Sequence, residues 1–185
     1  MKKYIFLDID GVLCTNSEFW INTQEFWIEN EQAKELRVIY PFNKKCVNSF
    51  NRILNEVDDI EIILTSDWRK NRTLEELDEI FKFNGVIKSP IDTTGHVSPY
   101  FGEWLEKLRM SDIETYLRKH NMINIEMTNH TNWIIIDDLD IRQWLPDEYK
   151  DRFFPTQDSE GISQEGMVER IIKKLKSYET EENSK

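Results

Sequence analysis

Asp8 and Asp10 stand one residue apart at the end of an apolar run, Tyr4 to Leu7, and Gly11 follows them. In an extended chain, residues two apart point to the same face. The two carboxylates therefore start side by side where a strand ends. Like charges that close repel unless a cation sits between them or one is protonated. Gly11 lets the chain turn away sharply with no side chain in the way. A magnesium-dependent phosphoryl-transfer site needs this set: one carboxylate to attack, one to move a proton, and a metal to hold the charge together. Two other readings compete. A strand ending in solvated acids is common in α/β proteins. A calcium loop beginning at Asp8 would need glycine at its sixth position and glutamate at its twelfth; Leu13 and Phe19 stand there, which excludes it.

The rest of the chain must hold these acids in place, and its pattern is that of alternating strands and helices. Glu61 to Leu64 reads as a second buried strand, ending in Thr65-Ser66-Asp67-Trp68-Arg69, and Trp133 to Ile136 as another, ending in Asp137-Asp138. Val86-Ile87 and Arg152 to Phe154 are expected as short strands. Asn43 to Val57 has the helical period, with Val47, Phe50, Leu54 and Val57 on one face. Thr73-Leu-Glu-Glu76 is a capping box that opens a helix closed by Asn84-Gly85. Ser111-Asp-Ile-Glu114 reads as a second capping box, with its helix running to about Asn121, where His120 caps the end. Ser163 to Tyr178 is strongly amphipathic, and the acidic tail from Glu179 is expected to fray. Alternating strands and helices predict an α/β, Rossmann-like three-layer sandwich with a mostly parallel sheet. Ligands of such sheets bind beyond the carboxyl ends of the strands. The fold would thus bring Asp8/Asp10, Thr65/Ser66 and Asp137/Asp138 together.

A chain of 185 residues suggests a single domain, here 1–178 with a flexible tail at 179–185 and a small cap-like insert at 14–40. Its net charge of −11 repels nucleic acid and anionic membrane in bulk, so no long nucleic-acid groove and no membrane partner are expected. Cys14 and Cys46 offer neither a disulfide framework nor metal spacing, and Cys14 is expected as a small buried residue. No apolar run is long enough to span a bilayer, and Asp8 and Asp10 interrupt what would be a signal segment, so a cytoplasmic location is expected. The insert carries Phe19, Trp20, Phe26 and Trp27, pairs of aromatics seven apart as on one helix face. It is read either as a cap helix packed on the core or as an aromatic platform for a base. Its net charge of −3 bars a grip on a long phosphate backbone.

These residues resemble the haloacid dehalogenase (HAD) superfamily of phosphotransferases. Asp8-Ile-Asp-Gly-Val-Leu13 looks like its first motif, the run ending at Thr65 like its second, and Ile134-Ile-Ile-Asp-Asp138 like its fourth. Within the superfamily the chain is most similar to the HAD domain associated with RNA-repair proteins, through Leu64-Thr-Ser-Asp-Trp-Arg69 and the closing segment Phe154 to Ser163. The resemblance implies a phosphatase with Asp8 as nucleophile and Asp10 as acid and base. It implies Mg2+ held by Asp8, the Asp10 carbonyl and Asp138 or Asp137, with Asp138 favoured. Thr65 hydroxyl and Ser66 amide would hold phosphoryl oxygens. The family's third-motif cation would be Arg109, with Lys107 as the alternative. Trp68 and Arg69 belong to the family pattern, and Arg69 is expected to grip a substrate phosphate, while Lys70 and Arg72 read as ordinary loop charges. The expected substrate is a phosphorylated small molecule, a nucleotide or a nucleic-acid end. The rival from another class is a non-catalytic binding or regulatory module on a HAD fold, which has no chemical need for both Asp8 and Asp10.

Overall fold

The structure is a computed structural model. It describes residues 2–95, 104–123 and 131–182, with backbone alone at 180–182. His96 and His130 lie outside the described residues.

The opening run forms β1 (Lys3–Leu7), the middle strand of a five-stranded sheet. β2 (Ile60–Leu64) and β4 (Asn132–Asp137) flank it, with β3 (Asp92–Thr93) outside β2 and β5 (Phe153–Pro155) outside β4; every pair is parallel. Leu7 lies between Leu64 and Ile136 in the register. The three central strands therefore end level, and the loops leaving their carboxyl ends meet at one edge. The helices are α1 (Thr23–Glu29), α2 (Glu31–Glu35), α3 (Lys44–Glu56), α4 (Leu74–Phe83), α5 (Leu105–Lys119) and α6 (Met167–Glu182).

Both faces of the sheet are covered, which is why its central strands read as unbroken apolar runs. Ile5, Leu7, Ile62, Leu64, Ile134 and Ile136 join one core with the inner faces of α3, α4 and α6. Phe6, Ile63, Trp133 and Ile135 join a second core with α5 and Tyr149. This is the expected α/β, Rossmann-like three-layer sandwich. Local signals set several helix starts. The Asn43 side chain accepts from the amides of Lys45 (2.9 Å) and Cys46 (3.3 Å) to begin α3. The Thr73 capping box is formed in full: Thr73 Oγ1 accepts from Glu76 N (3.2 Å) and Glu76 Oε2 from Thr73 N (2.8 Å).

Three elements differ from the expectation. Val86-Ile87 is not a strand: Val86 N bonds Phe81 O at the end of α4, and the edge strand is the polar pair Asp92–Thr93. Polar and two residues long, it carries no hydrophobic signal. Ser111 does not open a helix, because α5 begins at Leu105 and runs through it to Lys119, with His120 at its C-cap as expected. Glu114, the acid of the expected capping box, pairs with Arg118 one turn on at 2.8 Å, while Asp112 inside the box is buried on the inner face. The last helix begins at Met167 rather than Ser163, since the chain turns between Gly161 and Gly166, both at positive φ. At its other end α6 runs on to Glu182, and Glu179 pairs with the buried Lys3 (2.7 Å).

The segment 14–40 is not one helix. A 3-10 turn, Glu18–Trp20, precedes α1 and α2. Asn22 breaks the turn from α1 by capping that helix, accepting from Gln24 N at 3.1 Å. Phe19 and Trp20 therefore belong to one element and Phe26 and Trp27 to another, and the seven-residue spacing makes no common face. Phe26 and Trp27 pack on the core, while Trp20 is 89% exposed.

Candidate active site

The chain leaves β1 with Asp8 N bonded to Ile136 O (3.0 Å), and Asp8 Oδ1 accepts from Ile9 N (2.8 Å). The carboxylate is thus fixed to its own backbone and nearly buried. Gly11 then turns at φ +70°, and a Cβ there would come within 2.5 Å of Asp138. Only glycine lets the loop pass the Asp138 carboxylate this closely. Two contacts brace the loop from below: Thr156 Oγ1 donates to Gly11 O (2.8 Å) and Ile162 N to Val12 O (3.0 Å). At Gly161 a Cβ would sit 2.4 Å from Val12 O, so the closing segment can lie against the loop after β1 only with glycine at that position.

Arg109 is the cation of the site. Its NH1 meets Asp8 Oδ2 (2.9 Å), Asp137 Oδ2 and Thr65 Oγ1 (3.3 Å). Burial works against its charge, but Asp8 and Asp137 outweigh that and push its pKa above the ordinary range. α5 delivers this side chain because it starts a full turn before Arg109. Lys107 is exposed and stands over the Trp144 ring at 6.0 Å, so Arg109 is the one that meets Asp8.

Asp137 is fully buried, with Oδ2 on Arg109 and Oδ1 accepting from Leu139 N (3.0 Å). Burial and then Asp8 drive its pKa well up. Asp138 is half-buried, and burial followed by Asp8 pushes it up to about 6. Ligand atoms of Asp8, Asp137 and Asp138 all lie within 4.8 Å of one another. Asp8, Asp10, Asp137 and Asp138 gather beside the guanidinium of Arg109. That excess of negative charge fits a divalent cation with hard oxygen ligands.

The second-motif turn supplies the other wall. Thr65 and Ser66 are fully buried; Thr65 N bonds Leu7 O (2.8 Å), and Ser66 Oγ accepts from Trp68 N (3.4 Å). Trp68 Nε1 donates to Asp10 Oδ1 (3.0 Å), and Tyr40 hydroxyl donates to the same oxygen (2.8 Å). Burial raises the Asp10 pKa, against the pull of these two donors, and Asp8 adds to the rise. Burial and Asp10 push the Tyr40 phenol far above its usual range, so it stays a donor.

Arg69 is placed differently from the expectation. Its side chain is 5% exposed and pairs with Asp112 Oδ2 (2.7 Å). It also donates to the carbonyls of Thr94 (3.1 Å), Gly95 (3.2 Å) and Thr65. The guanidinium is a strut joining the β2 turn, the end of β3 and α5, with its donors already in use. Lys70 pairs with Asp67 (2.7 Å) and Arg72 lies over Trp68 at 5.4 Å. Cys14 is buried and burial pushes its thiol well up, so it is no nucleophile.

Sequence reasoning names the residues that meet at the edge and misses those that hold them. Asp112 could have been found: once α5 is phased on Met110, Ile113 and Leu117, an acid falls on the inner face and needs a cation. Tyr40, hidden before a proline in an aperiodic stretch, leaves no such signal.

No curated protein and no solved structure matches the chain. The family model described as the HAD domain in Swiss Army Knife RNA repair proteins matches residues 4–167, from β1 through the closing segment. That span takes in all three strand ends that meet at the carboxyl edge, and the chain belongs to this HAD family.

Proposed function

We propose that the protein is a magnesium-dependent phosphomonoester hydrolase working through an aspartyl-phosphate on Asp8. The observation that carries this reading is the joint placement of Asp8, Arg109, Asp137 and Asp138 at the ends of β1 and β4, with Asp10 beside them. Asp8 attacks phosphorus as the bond to the leaving oxygen breaks, and Asp10 gives that oxygen its proton. Asp10 then takes a proton from water, which attacks the phosphoryl group and frees phosphate and Asp8. Arg109 steadies the Asp8 carboxylate and offsets charge gathering on the phosphoryl oxygens, and the Thr65 hydroxyl and Ser66 amide receive those oxygens. Asp8, Asp138 and the Asp10 carbonyl, with Asp137 beside them, would hold Mg2+. Bound there, the ion would relieve repulsion between nucleophile and phosphate.

Trp68 holds Asp10, Arg69 braces the turn after β2 from behind, and Lys107 stands over Trp144. The substrate is a terminal phosphate, on a nucleotide or a nucleic-acid end; the family's description supports that class. Turnover of an aryl phosphate with magnesium, lost in Asp8→Asn and in excess chelator, is the test. A protein that binds phosphomonoesters but turns none over would favour the binding-module reading instead.

A further inference from the structure

Asp10 is held from outside the sheet. Its Oδ1 takes the Tyr40 hydroxyl at 2.8 Å and the Trp68 indole N–H at 3.0 Å, and no described residue bonds Oδ2. The two donors come from distant parts of the chain. Tyr40 ends the 14–40 segment, and Trp68 lies just beyond β2. Their rings meet edge-on at 5.7 Å. Phe19 lies 5.2 Å from the Tyr40 ring, and Phe42 lies 5.5 Å from the Trp68 ring. Arg72 covers Trp68 and donates to Arg37 O (3.0 Å), tying the segment to the second-motif turn. Neither donor is free to swing away.

A carboxyl group that hands over a proton does so from one oxygen. An oxygen already accepting two hydrogen bonds has its lone pairs in use, so the proton goes to the other. We propose that Tyr40, acting with Trp68, is a positioning residue that locks Asp10 with Oδ1 turned inward and Oδ2 alone presented to the leaving oxygen. The seating of the 14–40 segment then decides whether the acid is aligned. This deepens the phosphohydrolase reading and rests on it.

Tyr40→Phe removes the hydroxyl and keeps the ring. The readout is the first-turnover rate with magnesium on a series of phosphomonoesters, from a nitrophenyl ester to a simple alkyl ester. Losing a hydrogen bond to the acid should slow the alkyl ester about tenfold and the nitrophenyl ester less than about twofold. The Michaelis constants should not move. In an Asp10→Asn background the same change should cost nothing further, since the group it positions is gone. That second comparison holds even if Tyr40→Phe lowers the melting temperature. Equal losses on both esters, an effect on the Michaelis constant alone, or a full added loss in the Asp10→Asn background would overturn the proposal. No turnover by the wild-type chain on any ester would overturn the hydrolase reading, and this proposal with it.

Discussion

The carboxyl edge of the sheet and the 14–40 segment begin within a few residues of each other and are built in opposite ways. At the edge, Asp8, Thr65, Asp137 and Arg69 are buried and each is bonded to a neighbour, mostly at main-chain positions set by parallel pairing. In the segment, short helices come after a 3-10 turn, Trp20 and Ile28 are largely exposed, and acids outnumber bases. The two regions join through the Tyr40–Asp10 and Arg72–Arg37 bonds and through Cys14 N on Ile9 O at the start of the segment. The difference suggests a division of labour: the edge holds chemistry that tolerates no shift, and the segment offers surface that can change without disturbing it. Changes at the edge should then cost rate or fold, and changes on the exposed surface of the segment should cost affinity alone.

The largest effect should come from Asp8→Asn, which removes the proposed nucleophile with almost no change of shape. Turnover should fall roughly a thousandfold or more while the thermal unfolding curve stays cooperative. A variant that keeps most of its activity would separate the edge from the chemistry. Asp10→Asn should cost about 10² to 10⁴ on alkyl esters and less on aryl esters, whose leaving oxygen needs the proton least. Equal first-turnover losses on both would remove the acid from the account.

Asp112→Ala tests whether the edge is braced from behind. It leaves Arg69 buried without its carboxylate, and breaking a buried pair by removing one partner costs about 3–5 kcal/mol. Differential scanning calorimetry should show a fall in melting temperature of roughly 10 °C for a chain of this size. An unchanged melting temperature would mean that the Arg69 strut is idle.

A smaller effect is expected from pH. Asp138 in the metal-free fold is pushed up to about 6, above its unfolded value. The folded state therefore binds that proton more tightly than the unfolded one. Its stabilising effect is complete below the ordinary carboxylate range and is lost as pH rises through about 6. Denaturant titrations without metal should show stability falling over that window, and magnesium should restore it above the window. In Asp138→Asn the dependence should shrink. Stability that rises with pH through the window would contradict the crowding of acids at this edge.

The smallest effect belongs to the segment. Trp20→Ala should leave the melting temperature unchanged, because the side chain is almost wholly exposed. It should raise the Michaelis constant for a nucleotide-like ester more than for a small aryl phosphate, by the few-fold that one lost stacking contact implies. No change on either substrate would end the platform reading, and a lower melting temperature would return Trp20 to the core.

Much of the edge is legible in the sequence because parallel strands are buried on both sides and leave unbroken apolar runs. Ile134 to Ile136 announces β4 as plainly as Ile5 to Leu7 announces β1. Where burial does not come from an apolar run, the pattern misleads. β3 is two polar residues, and the apolar pair Val86-Ile87 draws the assignment away from it. Ser111-Asp-Ile-Glu114 has the letters of a cap, but Asp112 inside it serves a tertiary ion pair that no local pattern encodes. Arg69 reads as a phosphate grip because its neighbours in sequence point that way. Its partners, Thr94, Gly95 and Asp112, lie far along the chain.

The most direct test is to trap the intermediate. The protein with magnesium is mixed with excess aryl phosphate, quenched in acid during turnover, digested and read by mass spectrometry. The account predicts a phosphoryl group on the peptide carrying Asp8, absent in Asp8→Asn and absent when chelator is present throughout. Turnover under the same conditions with no phosphorylated Asp8 peptide, or with the label on another residue, would contradict it.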